Sequence, residues 1–296
     1  MKPFVLAALL AVSPLASQIR VDVRLVRLLA SVKDEAGALV GGLEQKQFRI
    51  FDSGVEQEIA VFERSTALPL SVSLLIDASG STAVSLTQEV VSVKTFLRSL
   101  LRDGNADDAA ALYSFNYETT QLAAFTRRQD RLDNGLKRLK GEAGTSVYDA
   151  IHFAAHDLRT RDGRKVIVIV TDGGDTTSSY TFRDALQAAH REEAVIYPIV
   201  VKPISGDAGR NVGGENALAS LAQGTGGRVL EAALGEGLDQ AFSAILAELR
   251  TQYLLAYYPR DLPAGGPAFH PVRLQVDALP RKLQVYTRSG YYGEAR

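Results

Sequence analysis

Short apolar runs alternate with amphipathic stretches through the middle of the chain. Runs at 70–76, 109–115, 165–171 and 195–201, with a weaker one at 227–231, have the length and apolarity of buried strands. Leu86, Val90, Val93, Leu97 and Leu100 recur at steps of four and three, which predicts a helix after the first run. Thr126-Arg127-Arg128-Gln129 has the form of a capping box opening a second helix. A third is expected over about 147–158. Thr181-Phe182-Arg183-Asp184 opens a fourth, and Leu238, Phe242, Ile245 and Leu249 mark the last. The stretch 206–214 reads as a flexible loop. Strand and helix in alternation predict an α/β fold over residues 67–250: a doubly wound, mostly parallel sheet flanked by helices on both faces.

The flanks have a different period. Residues 20–28 alternate polar and apolar with period two, and 33–37 carry a turn signal, followed by a break at Gly41-Gly42. Phe48-Arg49-Ile50-Phe51, then Asp52-Ser53-Gly54, then Ile59-Ala60-Val61-Phe62 predicts a hairpin. Beyond residue 250, strand character returns at 252–258, 271–276 and 282–287, with a Pro/Gly-rich loop at 259–267. The aromatic pairs Tyr257-Tyr258 and Tyr291-Tyr292 are expected to pack within or along these strands. The segments 18–66 and 251–296 are expected to pair as a smaller β unit that carries the α/β part as an insertion, because chain ends commonly lie close together.

Composition changes this picture mainly at the N-terminus. Lys2 precedes an apolar stretch at 4–12 and then Ser13-Pro14-Leu15-Ala16-Ser17, which predicts a signal peptide over 1–17 with cleavage around Ser17/Gln18. The stretch is short for a membrane span. The expectation is an exported protein, periplasmic or extracellular, with no stable membrane span after cleavage. Lys and Arg (33) nearly cancel Asp and Glu (34), so no net basic field favours nucleic acid. The chain has no cysteine, which excludes disulfides, thiolate metal sites and lipid attachment at cysteine.

Chemistry gathers where strands end. Asp77-Ala78-Ser79-Gly80-Ser81 closes the first central run, Gly144-Thr145-Ser146 precedes a helix, and Thr171-Asp172-Gly173 ends another run. In an open α/β sheet such strand ends share one edge, where ligands bind and where helix N-termini favour anions. Mg²⁺ takes six oxygens in a near-octahedral array. Hydroxyls of Ser79, Ser81 and Thr145 offer oxygens without charge, while Asp77 and Asp172 balance the ion directly or through water. Fewer direct carboxylates leave a cation open to an outside oxygen, so this mix suits metal-bridged binding better than a closed structural site. Asp175 lies nearby and is read as tuning the loop.

The order D-x-S-x-S, then Thr, then a strand-end Asp resembles the metal-ion-dependent adhesion site of von Willebrand factor type A domains. The flanks, with Leu249 to Pro259 and the closing Arg288-Ser289-Gly290-Tyr291-Tyr292, are similar to the bacterial "VWFA-related" proteins common in Acidobacteria. The resemblance implies Mg²⁺ (or Mn²⁺/Ca²⁺) at Asp77, Ser79, Ser81, Thr145 and Asp172, and a protein ligand presenting a carboxylate. It implies a non-enzymatic, exported, adhesion-type binding module. The alternative is a scaffold of an envelope assembly in which the metal only rigidifies the site. The family also implies that displacement of the last helix couples to the site, and the β unit is placed to sense it.

Other candidates carry less. His152 and His156 share a helix face, but Phe153 stands where a zincin needs Glu. Asp103-Gly104-Asn105-Ala106-Asp107 begins like a calcium loop, but Asp108 replaces the required Gly and Ser114 the closing Glu, so a helix-to-strand turn is the better reading. No G-x-S-x-G elbow, Walker A or dinucleotide fingerprint occurs. A metal-activated hydrolase lacks a convincing general base.

Overall fold

The computed structural model describes residues 25–64, 67–82, 85–202, 211–262, 268–277 and 282–293. The expected signal peptide and its cleavage point lie outside the described residues, as do residues 20–24 of the first alternating stretch. The chain enters in β: β1 (Val26–Lys33), β2 (Phe48–Asp52), β3 (Val55–Gln57) and β4 (Val61–Glu63). The central part runs β5 (Leu70–Asp77), α1 (Leu86–Arg102), β6 (Ala109–Phe115), β7 (Thr119–Thr126), α2 (Gln129–Leu136) and α3 (Val147–Leu158). It continues with β8 (Arg164–Thr171), α4 (Phe182–Arg191), β9 (Ala194–Val201), α5 (Val212–Thr225), β10 (Leu230–Ala232) and α6 (Glu236–Thr251). The end is β again: β11 (Tyr253–Tyr257), β12 (Phe269–Val276), β13 (Gln284–Tyr286) and β14 (Gly290–Tyr292).

The central sheet has the order β10-β9-β8-β5-β6-β7, parallel throughout except for β7. Every residue of β5 and β9 is buried, as the unbroken apolar runs require of strands covered on both faces. One face packs Val93, Phe96 and Leu97 of α1 with Leu132 of α2 and Phe242 and Ile245 of α6. The other packs Ile151 and Ala154 of α3, Ala185 of α4 and Leu218 and Leu221 of α5. The chain leaves β5 toward β6 on one side and later toward β8, β9 and β10 on the other. The order therefore reverses beside β5, and the C-terminal ends of β5 and β8 lie at this switch point, where ligands bind in sheets of this kind.

The end segments interleave strand by strand. β11 lies between β1 and β4, and β12 pairs with β2, all antiparallel. The resulting sheets, β13-β1-β11-β4 and β14-β12-β2-β3, enclose a core of Leu28, Phe48, Ile50, Tyr253, Leu255 and Leu274. Within it Asp52 is fully buried and accepts hydrogen bonds from Tyr257 and Tyr291, each at 2.8 Å. Tyr257 and Tyr291 thus lie inside the unit, and Tyr258 is exposed.

Three local expectations need correction. The partner of β2 is β3, not 59–62. Ser53 (φ 50°) and Gly54 (φ 85°) both adopt left-handed backbone, the two-residue turn that pairs Asp52 directly with Val55. The residues at 61–63 cross instead to β11. Thr126 opens no capping box. It ends β7, its hydroxyl accepts from the Arg128 amide at 3.1 Å, and Arg128 is the N-cap of α2. The loop expected at 206–214 runs into a helix, since Asn211 caps α5 by accepting from the Gly214 amide at 2.9 Å; residues 206–210 lie outside the described residues. β7 itself was not foreseen. The 103–108 segment is the expected turn, with Asp108 accepting from the Leu70 and Asn105 amides.

Candidate metal centre

Asp77 is the last residue of β5 and is fully buried. Its Oδ1 accepts from the Ser79 amide at 2.8 Å and its Oδ2 from the Thr171 hydroxyl at 2.6 Å. The Thr82 hydroxyl donates to the carbonyls of Asp77 and Ser79, which folds the turn onto the strand end. Both oxygens of Asp77 are thereby aimed, one by its own turn and one by β8. Within this turn the hydroxyls of Ser79 and Ser81 stand 3.0 Å apart, with Ser79 buried and Ser81 exposed.

The other two loops are fastened to the first. The Glu142 amide donates to the Ala78 carbonyl at 2.9 Å. The Thr145 amide donates to the hydroxyls of Thr176 and Thr177, and its carbonyl accepts from their amides. The backbone of Thr145 is thus fixed between the loop after β5 and the loop after β8, and its side chain makes no hydrogen bond to the other four residues. Gly144 makes the approach possible: at φ 88°, a Cβ there would come within 2.8 Å of Tyr117 Cβ. Asp175 serves the loop as expected, accepting from the Ser178 hydroxyl and from the Tyr148 amide at the start of α3.

The electrostatics are one-sided. Burial pushes the Asp77 carboxyl up to about 6; its hydrogen bonds from Thr171 and Ser79 oppose this, and the charge of Asp172 adds to it. Glu89, in the first turn of α1, is pushed up to about 7 by burial, and Asp77 and Asp172 again act in the same direction. Among the described residues no basic side chain offsets either group. Asp172 is partly exposed and joins them through this field. Structure therefore brings Asp77, Ser79 and Ser81 into one bonded turn, sets Asp172 within electrostatic reach, and holds Thr145 on the adjoining loop.

The donor set fits a small hard cation. Two oxygens bound in neighbouring octahedral positions at the ~2.0–2.1 Å of Mg²⁺ lie about 3 Å apart, which is the Ser79–Ser81 separation. The absent counter-charge to three carboxylates is what a divalent ion supplies. Among the described residues no three His, Cys, Asp or Glu side chains cluster as a conventional carboxylate or imidazole site. His152 instead stacks on Tyr180, ring centroids 3.8 Å apart, and His156 is exposed.

Sequence reasoning missed Thr171 and Glu89. Thr171 was visible only as the neighbour of Asp172. Glu89 had a signal: it falls three residues after Leu86 and four before Val93, inside the apolar stripe of α1.

Residues 72–174 match the family described as the von Willebrand factor type A domain. Among solved structures, proximal thread matrix protein 1 from the mussel byssus is 14% identical, with a TM-score of 0.53 over 67% of this chain and 49% of that one. This likeness shows the fold, and this chain spans about half the length of the mussel protein. BatB from Bacteroides thetaiotaomicron is 16% identical, with a TM-score of 0.49 over 61% of this chain and 98% of that one. The PilB minor pilin from Streptococcus sanguinis is 14% identical, with a TM-score of 0.49 over 63% and 62%. No curated protein matches.

Proposed function

Given that this chain carries a von Willebrand factor type A domain, we propose that it is an exported module that captures a protein partner through a divalent cation, Mg²⁺ or Mn²⁺, at the C-terminal edge of the central sheet. Ser79, Ser81 and Thr145 offer neutral oxygens, and Asp77 and Asp172 supply the charge. When bound, the ion supplies an electrophilic position for a carboxylate of the partner. The observation that carries this reading is the Ser79–Ser81 hydroxyl pair beside a buried Asp77 with no basic side chain to balance it.

The rim favours a protein rather than a small molecule. Tyr117, beside the Gly144-Thr145 turn, and Tyr180, on the loop after β8, are exposed by 53% and 39%. Aromatic side chains of this kind give large contact area at low entropic cost. Export rests on the N-terminal sequence. Among the described residues no helix is long and apolar enough to cross a membrane.

Thermal melting in EDTA and then in saturating Mg²⁺ or Mn²⁺ tests the proposal. Ligand at a hundred times its Kd adds about 2.7 kcal/mol, or roughly 5–10 °C for a domain of this size. The rise is expected in the wild type and absent in Asp77→Ala. Addition of an aspartate-bearing peptide should raise the metal-loaded melting point further. A metal shift that survives Asp77→Ala would contradict the proposed site, and a metal shift with no response to acidic peptide would favour a metal that only rigidifies a scaffold.

A further inference from the structure

Glu89 is the carboxylate that the motif leaves unexplained. It is 1% exposed, on the inward face of α1, where Val93, Phe96, Leu97 and Leu100 are apolar. Its Oε1 lies 2.6 Å from the Ser85 hydroxyl, which shares its one hydrogen with the Thr82 carbonyl at 2.9 Å, and the Thr82 hydroxyl donates to the Asp77 carbonyl. Oε2 is buried and has no hydrogen-bond partner among the described residues. A buried carboxylate with one unpartnered oxygen is costly, and among the described residues the Ser85 hydroxyl is its one side-chain donor and no basic group balances it. Both charges that act on it, Asp77 and Asp172, repel it. An inward position at the start of a helix is filled at no such cost by Leu or Met, so packing does not account for an acid there.

We propose that Glu89 is a positioning residue of the cation site, its third carboxylate, acting from the protein side through its field and its free Oε2 on a hydrated divalent ion. The inference rests on the cation reading given above and extends it to a residue outside the D-x-S-x-S, Thr, Asp set. Ser85 holds Glu89 in place, and Asp77, Thr82, Ser85 and Glu89 are linked by hydrogen bonds into one unit. With three acids and no base, the site is built for a doubly charged ion and is disfavoured when no ion is present.

Two effects of opposite sign follow from Glu89→Gln, which keeps the shape and the Ser85 contact but removes the charge. Without metal, the variant is expected to melt above the wild type, because a repelled buried charge is gone. With metal, its Mn²⁺ affinity should fall by roughly 10–100-fold, the range for outer groups that orient a metal site. The experiment is Mn²⁺ titration of the full chain, read by the electron paramagnetic resonance of free Mn²⁺, beside melting in EDTA. Ser85→Ala is the second arm and should weaken Mn²⁺ binding by loosening the carboxylate. Unchanged Mn²⁺ affinity in both variants, with a lower melting point in EDTA, would overturn the proposal and make Glu89 a structural residue. If wild type binds no Mn²⁺, the cation reading itself falls, and this inference with it.

Discussion

At the scale of residues, the site is a contest between burial and ionisation. Asp77 is raised from 3.8 to about 6 by burial, so the folded state holds its proton longer than the unfolded state. In metal-free protein this group destabilises the fold increasingly as pH rises from about 4 to about 6, and fully above that, on the order of 3 kcal/mol. His190 runs the other way. Burial, helped by the Arg288 charge, lowers it from 6.5 to about 4, so its cost is largest below about pH 4 and fades as pH rises from there to 6.5. The two slopes oppose each other in one window, so the total profile conceals both. The difference between Asp77→Asn and wild type in EDTA isolates the first. The variant's relative stability should rise between about pH 4 and pH 6, and a difference that is flat across that range would refute the burial account. Saturating Mg²⁺ should flatten it, because a bound cation favours the ionised carboxylate. Residue types and spacing made Asp77, Ser79, Ser81, Thr145 and Asp172 legible as candidates, since each sits at a strand end or loop that topology sends to one edge. Glu89 and Thr171 were not picked out, because their roles depend on which helix face and which neighbouring strand approach Asp77.

At the scale of elements, long runs read well and boundaries set by partners read poorly. β5, β6, β8 and β9 were legible because strands covered on both faces need unbroken apolar sequence. β7 was not, since an edge strand alternates weakly and its pairing with β6 is irregular. α5 was masked by Gly213, Gly214 and Gly224, which dilute helical propensity. One of these glycines is set by packing: Gly214 lies against Gly174 so closely that a Cβ on it would be 2.3 Å from the Gly174 Cα. The same logic applies to the Thr145 loop. Gly144→Ala should cost about 1–3 kcal/mol through its left-handed backbone and the clash with Tyr117, measured by denaturant unfolding. It should also weaken Mn²⁺ binding by moving Thr145, and full retention of both properties would show that the turn does not set the site.

At the scale of the whole molecule, the last helix joins the two layers of organisation. α6 passes into β11 through Gln252 alone, so the helix leads directly into the strand. Glu248 of α6 is fully buried and receives Lys33 of β1 at 2.8 Å, Arg228 at 2.9 Å and the Tyr197 hydroxyl of β9 at 3.0 Å. Burial pushes its carboxyl up, but Lys33 and Arg228 outweigh that and hold it below the usual range. A second seam links Arg27 of β1 to Glu193 at 2.9 Å, with Arg288 donating to the Arg27 carbonyl. Glu248→Ala leaves the buried Lys33 and the part-buried Arg228 without their acid and should destabilise the protein by about 3–5 kcal/mol. Lys33→Met should cost less, because Arg228 still neutralises Glu248; equal losses in chemical denaturation would show that Lys33 dominates the cluster.

Whether the strand-end residues hold a divalent cation is read from an anomalous difference map of crystals grown in Mn²⁺. One strong peak is expected within about 2.5 Å of both Ser79 Oγ and Ser81 Oγ, lost in Asp77→Ala. A peak elsewhere, or none at the Ser79–Ser81 pair in crystals of Mn²⁺-saturated wild type, would contradict a cation site at these residues.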